Sequence, residues 1–179
     1  MGSYFGAEQV QEAEGLKSLI VRTKNLTFLH MQVAEFRAKI KTNAKIMVDN
    51  QEYDVKEVVK FRFDDGSFYM KCFLSNDCVF ADDLNENMFL LVKEVKTDIK
   101  EPFPERLDFQ GRNFKFLYAA HAIAEEIQGE EIFKLGDSER FWDYKADDNS
   151  YLSLGINDQT GERLDFFGRI IDNKDIKLE

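Results

Sequence analysis

DGSFYMKCFLSNDCVFADDLNENMFLLV, Asp65 to Val92, reads as three strands set apart by turns. Phe68 to Leu74 and Cys78 to Ala81 flank the turn Ser75-Asn76-Asp77, and a polar loop, Asp82 to Asn87, leads into the apolar run Met88 to Val95. Asn, Asp and Gly tolerate the positive φ that tight hairpins demand, so this order specifies a meander and hence an antiparallel sheet. The layout recurs in QGEEIFKLGDSERFWDYKADDNSYLSL, Gln128 to Leu154. Gly66 and Gly129, Lys71 and Lys134, and Ser75 and Ser138 share one constant offset. In each copy an Ala-Asp-Asp turn (Ala81 to Asp83, Ala146 to Asp148) precedes an aromatic-Leu pair, Phe89-Leu90 or Tyr151-Leu152. The chain is read as two related antiparallel β units.

Upstream, Lys45 to Val48 forms a short strand and Asp49-Asn50 a turn. Tyr53, Val55, Val59, Phe61 and Phe63 then mark a longer alternating strand, interrupted near Glu57 and closed by the Asp64-Asp65-Gly66 hairpin. Farther back the period is helical. Val10, Ala13, Leu16, Leu19 and Ile20 share one stripe, while Leu26, Leu29, Val33, Phe36 and Ile40 step by three and four, with Glu35 and Lys39 as a supporting i,i+4 pair. One or two N-terminal helices over residues 1–42 are expected to cover a sheet face; a coiled-coil seam would need more heptads.

Downstream, Pro102 and Pro104 are the chain's two prolines, and they make 97–106 a joint between a first β unit, 43–96, and a second, 107–179. The units are expected to pack as one compact domain. Leu107 to Phe109, the turn Gln110-Gly111 and Asn113 to Phe116 echo Met47 to Val55. Two rules then conflict. Leu117 to Gly129, LYAAHAIAEEIQG, is rich in Ala and Glu and ends in a glycine suited to a helix end. The repeat requires a strand there, and because pairing overrides propensity, Asn113 to Ile127 is predicted as one. Strands at Glu131 to Leu135, Arg140 to Tyr144, Tyr151 to Ile156, Arg163 to Ile171 and Ile176 to Leu178 complete the chain. Turns fall at Gln128-Gly129, Gly136-Asp137, Ala146 to Asn149 and Gln159 to Gly161. The fold class is mainly β (α+β), a sandwich or barrel-like sheet.

At 179 residues the chain buries about 70% of its unfolded surface, enough for a core without disulfides or metal. Its 34 acidic and 24 basic residues leave a net charge of -10, which repels phosphate backbones and anionic lipid, so neither nucleic acid nor direct membrane insertion is expected. No run of eighteen apolar residues and no signal-peptide pattern appears, and a cytoplasmic location is expected. Cys72 and Cys78 have the wrong spacing for a CxxC unit and read as buried free thiols.

Catalytic motifs are absent: there is no nucleophile elbow, P-loop or dinucleotide fingerprint. His30 and His121 lack a second metal ligand at characteristic spacing and read as ordinary hydrogen-bonded histidines. Asp82, Asp83, Asn85 and Glu86, and Asp147, Asp148 and Asn149, offer oxygen ligands without the alternation of a calcium loop, so solvated turns are expected. No cofactor or metal is called for. The candidate interaction residues are Phe141, Trp142 and Tyr144, because consecutive aromatics on a strand face opposite sides and one becomes a surface anchor if a face is open. A strand buried on both faces is the alternative. Leu26, Leu29, Val33 and Phe36 join the candidates if their stripe is exposed.

IMVDNQEYDVKEVV (Ile46 to Val59), DGSFYMKCFLSND (Asp65 to Asp77), LDFQGRNF (Leu107 to Phe114) and GRIIDNKDI (Gly168 to Ile176) give the chain a resemblance to bacterial domains of the YjfK-like type, a family of unknown function. The resemblance spans most of residues 36–178 and rests on apolar and glycine patterns. It implies a cytosolic β-rich protein encoded near membrane-stress and polyamine-related genes, and brings no catalytic residue. The function expected is that of a non-catalytic protein-interaction module with a protein partner. The alternative is a binder of a small cationic ligand such as a polyamine, or an enzyme, with its pocket between the two units.

Overall fold

Strand periodicity of two, punctuated by Asn, Asp and Gly, governs the residues that the computed structural model describes, 30–83, 87–130 and 132–179. Helix α1 (Val33–Lys39) is followed by β1 (Lys45–Val48), β2 (Gln51–Phe63), β3 (Phe68–Leu74), β4 (Cys78–Asp83) and β5 (Met88–Val95). After the proline joint come β6 (Arg106–Phe109), β7 (Arg112–Gly129), β8 (Ser138–Ala146), β9 (Ser150–Asn157), β10 (Asp165–Ile171) and β11 (Ile176–Leu178). Every pairing between these strands is antiparallel.

The sheet order β11-β1-β2-β3-β4-β5-β10-β9-β8-β7-β6, with a further β2–β7 pairing, closes eight strands into a barrel. Of the sequence alternatives, sandwich or barrel, the molecule is a barrel. Each half of the chain contributes four consecutive strands, β2 to β5 and β7 to β10, preceded by a short hairpinned strand, β1 or β6. Closure fits the strands tightly: a Cβ on Gly168 of β10 would lie 2.1 Å from the Leu91 carbonyl oxygen of β5, so only glycine allows that approach.

Alternation assigns the two faces. Val59, Phe61, Tyr69, Ala81, Ala122, Ala124 and Phe141 meet inside one end of the barrel, and Val79, Leu90, Val92, Tyr151 and Phe166 inside the neighbouring part. Outside, α1 lays Val33, Phe36 and Ile40 on Cys72, Phe80 and Phe89 of the first half, with Phe36 edge-on to Phe80 at 5.4 Å and to Phe89 at 5.3 Å. Arg37 of α1 pairs with buried Asp82 at 2.6 Å. The joint covers the second half, where Ile99 and Phe103 pack with Phe114, Tyr144, Leu152 and Leu154.

The tight turns sit where the sequence placed them: Asp49-Asn50, Asn76-Asp77 and Gln110-Gly111 all have positive φ, as type I′-like hairpins require. The interruption near Glu57 is a register shift between Val55 and Glu57. Residues 113–127 are strand despite their helical composition, within the 18 residues of β7. Their alanines follow the pleat, with Ala122 and Ala124 filling the barrel interior opposite Phe61, Tyr69 and Phe141, the small-against-large matching that a narrow barrel needs.

Four expectations change. Ile132 to Leu135 are not a strand, and Glu131 lies outside the described residues. The Ile132 and Phe133 amides donate to the Glu57 carboxylate rather than to a neighbouring strand, the second at 3.0 Å. Asp82 and Asp83 are not solvated turn residues but the buried end of β4. The constant-offset register also departs from the strand order: Lys71 points into the barrel from β3, whereas Lys134 is exposed in a loop, and Ser138 begins a strand where Ser75 begins a turn. Of the second helical stripe, only Val33–Lys39 is helix among the described residues, and Val33 and Phe36 are buried. The first stripe, Leu26 and Leu29 lie outside the described residues. Cys72 and Cys78 are free, buried thiols.

Candidate functional site

Polar side chains on inward positions of an otherwise apolar barrel make the site. Tyr69 and Lys71 alternate on β3, Glu139, Phe141 and Asp143 on β8, and Tyr151 and Ser153 on β9; all of them line one internal cavity of about 70 Å³. β3 and β8 do not pair with each other, but closure of the barrel turns their inward side chains toward one another, so residues 68 to 70 positions apart in sequence reach hydrogen-bond distance.

The first group is self-satisfied. Lys71 Nζ lies 2.5 Å from Glu139 Oε1, and the Tyr69 hydroxyl donates to the same oxygen at 2.6 Å. Around the ammonium stand the rings of Phe61 (4.7 Å), Phe166 (5.3 Å), Phe133 (5.4 Å) and Tyr69 (5.8 Å). A buried cation is thus held by one carboxylate and four aromatic faces, each of which draws on the ring quadrupole in a poorly solvated space. Burial, and after it the Glu139 charge, pushes the Tyr69 phenol well up.

The second group is not satisfied. Tyr118 of β7 donates to Asp83 Oδ2 at 2.7 Å. Among the described residues, however, Asp143 Oδ1 and the Tyr151 hydroxyl have no hydrogen bond of regular geometry, although the Tyr151, Tyr118 and Ser153 hydroxyls stand close enough to Asp143 to stabilise its charge in part. Asp143 is only 4% exposed and Tyr151 1%. Burial raises the Asp143 carboxyl to about 6; the nearby Ser153, Tyr151 and Tyr118 hydroxyls draw it partly back and the Asp83 charge adds to the rise. Burial first, then the Asp143 charge, pushes the Tyr151 phenol well above its ordinary value. At neutral pH the cavity therefore holds a largely ionised carboxylate, and the interior lysine beside it is already engaged by Glu139. Buried charges ordinarily have partners.

A wider vestibule of about 480 Å³ adjoins the cavity and shares Phe63, Ser67, Asp83 and Tyr118 with it. Asp64, Asp65 and His121 give it an acidic rim. His121 is hydrogen-bonded as expected, with Nδ1 2.8 Å from Asp64 and Nε2 3.4 Å from Asp158; His30 is exposed. Among the described residues no group of three or more His, Cys, Asp or Glu could hold a metal ion, and no helix is long and apolar enough to cross a membrane.

The sequence candidates are dispersed by this geometry. Phe141 points into the barrel against Tyr69, Phe63 and Tyr118. Trp142 is half-buried on the outside, edge-on to Phe103 at 4.8 Å. Tyr144 is fully buried and donates to the Pro104 carbonyl at 2.9 Å. The strand is covered on both faces, the alternative noted from sequence. The residue passed over was Asp143, between Trp142 and Tyr144. Its signal was present: Glu139, Phe141 and Asp143 recur at every second position, so two acids share the face of a core aromatic.

No family model, curated protein or solved structure matches the chain, and the YjfK-like resemblance stands on the residues quoted for it alone.

Proposed function

We propose that the barrel is a receptor that takes a small polar ligand into its interior, the second of the two functions expected from sequence. The observation that carries this reading is the pair of buried polar atoms without a regular hydrogen bond, Asp143 Oδ1 and the Tyr151 hydroxyl, at a cavity that is continuous in its lining with an outer vestibule. A fold that places a carboxylate at such a position gives up stability unless something binds there. The pocket lies inside a closed barrel built by both halves, which is where barrels of this size hold ligands. The protein-interaction reading named Phe141, Trp142 and Tyr144; Phe141 and Tyr144 are buried in packing, and Trp142 is half-buried on the outside.

Amide chemical-shift mapping of the full chain tests the proposal. Small amines, acids, alcohols and sugars are added one at a time. At least one class is expected to shift, saturably, the amides of Tyr118, Phe141 to Asp143 and Tyr151 to Ser153, with little change on α1. If no class moves these amides, the receptor reading fails.

A further inference from the structure

We infer that the ligand is a primary alkylammonium ion whose nitrogen sits between Asp143 Oδ1 and the Tyr151 hydroxyl, with its alkyl chain along the aromatic wall. The inference rests on the receptor reading above and deepens it.

The interior contains its own demonstration of how it treats an ammonium. Lys71 brings one in on its side chain, and the barrel meets it with the Glu139 carboxylate at 2.5 Å and with four ring faces between 4.7 and 5.8 Å. Asp143 is a second carboxylate on the same face of the same strand, two pleats along, and it lines the same cavity with Phe141 and Tyr151 beside it. What the second group lacks, relative to the first, is the cation.

Charge and hydrogen-bond inventory then choose among ligand classes. An ammonium carries three donors and no acceptor, so it can satisfy Asp143 Oδ1 and the Tyr151 oxygen at once while neutralising the carboxylate. A neutral alcohol has one donor and leaves the charge uncompensated. An anion would face Asp143, Asp83 and Glu139 together, with Lys71 already engaged. The approach favours the same sign: Asp64, Asp65 and Asp83 line the vestibule, and the chain's net charge of -10 draws cations toward it.

Size sets the shape. About 70 Å³ is several times the roughly 10–15 Å³ that one water requires by the same kind of measure, which suits a slim chain and not a ring. The walls, Phe63, Phe141 and Phe166 among them, offer apolar surface to methylenes and ring faces to the charge.

The test is isothermal titration at pH 7.5 of the full chain with ethylammonium and butylammonium, against ethanol, butanol, acetate and butyrate as isosteric neutral and anionic probes. The ammonium ions are expected to bind at least tenfold more tightly than their isosteres. Asp143→Asn is expected to weaken ammonium binding about a hundredfold, and Tyr151→Phe, which keeps the ring, several-fold. Lowering the pH to 5 protonates most of Asp143 and is expected to weaken binding about tenfold. An alcohol or carboxylate that binds as tightly as its ammonium counterpart, or ammonium binding untouched by Asp143→Asn, overturns the cation assignment and leaves the receptor reading standing. Silence from all six probes, together with silence in the shift mapping, overturns both.

Discussion

Asp143 carries an energetic burden that the nearby Ser153, Tyr151 and Tyr118 hydroxyls relieve only in part. Its folded-state value near 6 against an ordinary 3.8, set chiefly by burial, has a definite sign. The folded state holds the proton more tightly than the unfolded chain, so the contribution of this group to stability is full below about pH 4 and is lost as pH rises through 6. The loss is on the order of 2–3 kcal/mol by pH 7.5. Asp143→Asn keeps the shape and removes the charge. It is expected to stabilise the protein by on the order of 2 kcal/mol at pH 7.5 and to change little at pH 4, as read by urea unfolding at the two pH values. The same variant is the one expected to lose ligand, the trade of stability against function that binding sites show. A destabilised Asn variant at pH 7.5 would mean that the carboxylate is already well paired. At this scale the sequence was legible in type but not in consequence. The alternation of Glu139, Phe141 and Asp143 was plain, but whether that face looked inward depended on neighbours from distant segments.

Between residues and the whole molecule, β2 and the loop before β8 show how a side chain can replace a strand partner. The register shift after Val55 leaves Glu57 fully buried, where it receives the Ile132 and Phe133 amides. Phe133, seated by those bonds, lies edge-on to Phe61 at 5.2 Å and contributes a face to the Lys71 cage. Glu57→Ala strands two amide donors and is expected to cost about 2–3 kcal/mol, with faster hydrogen exchange at Ile132 and Phe133 than elsewhere in the barrel; Glu57→Gln, which keeps one acceptor, falls between. Equal exchange in all three proteins would show that the loop is held by something else. Local chemistry predicted the hairpin turns well because Asn76, Asp77 and Gly66 are read from backbone sterics alone. Ile132 to Leu135 are not the strand expected there because Phe133 alone of their apolar residues turns inward, Ile132 and Leu135 being exposed, and the acceptor of their amides lies more than seventy positions away. β7 was read correctly against its propensity because strand pairing, not alanine content, decides the state of a segment that is hydrogen-bonded on both edges.

Taken whole, the molecule is a closed antiparallel barrel with each half's outer face covered by its own flanking segment: α1 and β1 on one side, the joint and β6 on the other. That arrangement leaves Asp143 Oδ1 and the Tyr151 hydroxyl in the interior without a regular hydrogen bond. Closure rests on β2 pairing with β7 and β5 with β10, contacts between halves that no local pattern records, which is why sandwich and barrel were equal readings of the sequence. On this reading the interior holds a buried carboxylate that takes a cation. The most direct test is a carbon-13 titration of the Asp143 side-chain carboxyl in the full chain, with and without saturating butylammonium. A midpoint near 6 is expected in the free protein, moving down when the ammonium is present, since a bound cation favours the ionised form. A midpoint near the ordinary 3.8 that the ammonium leaves unmoved would contradict this reading.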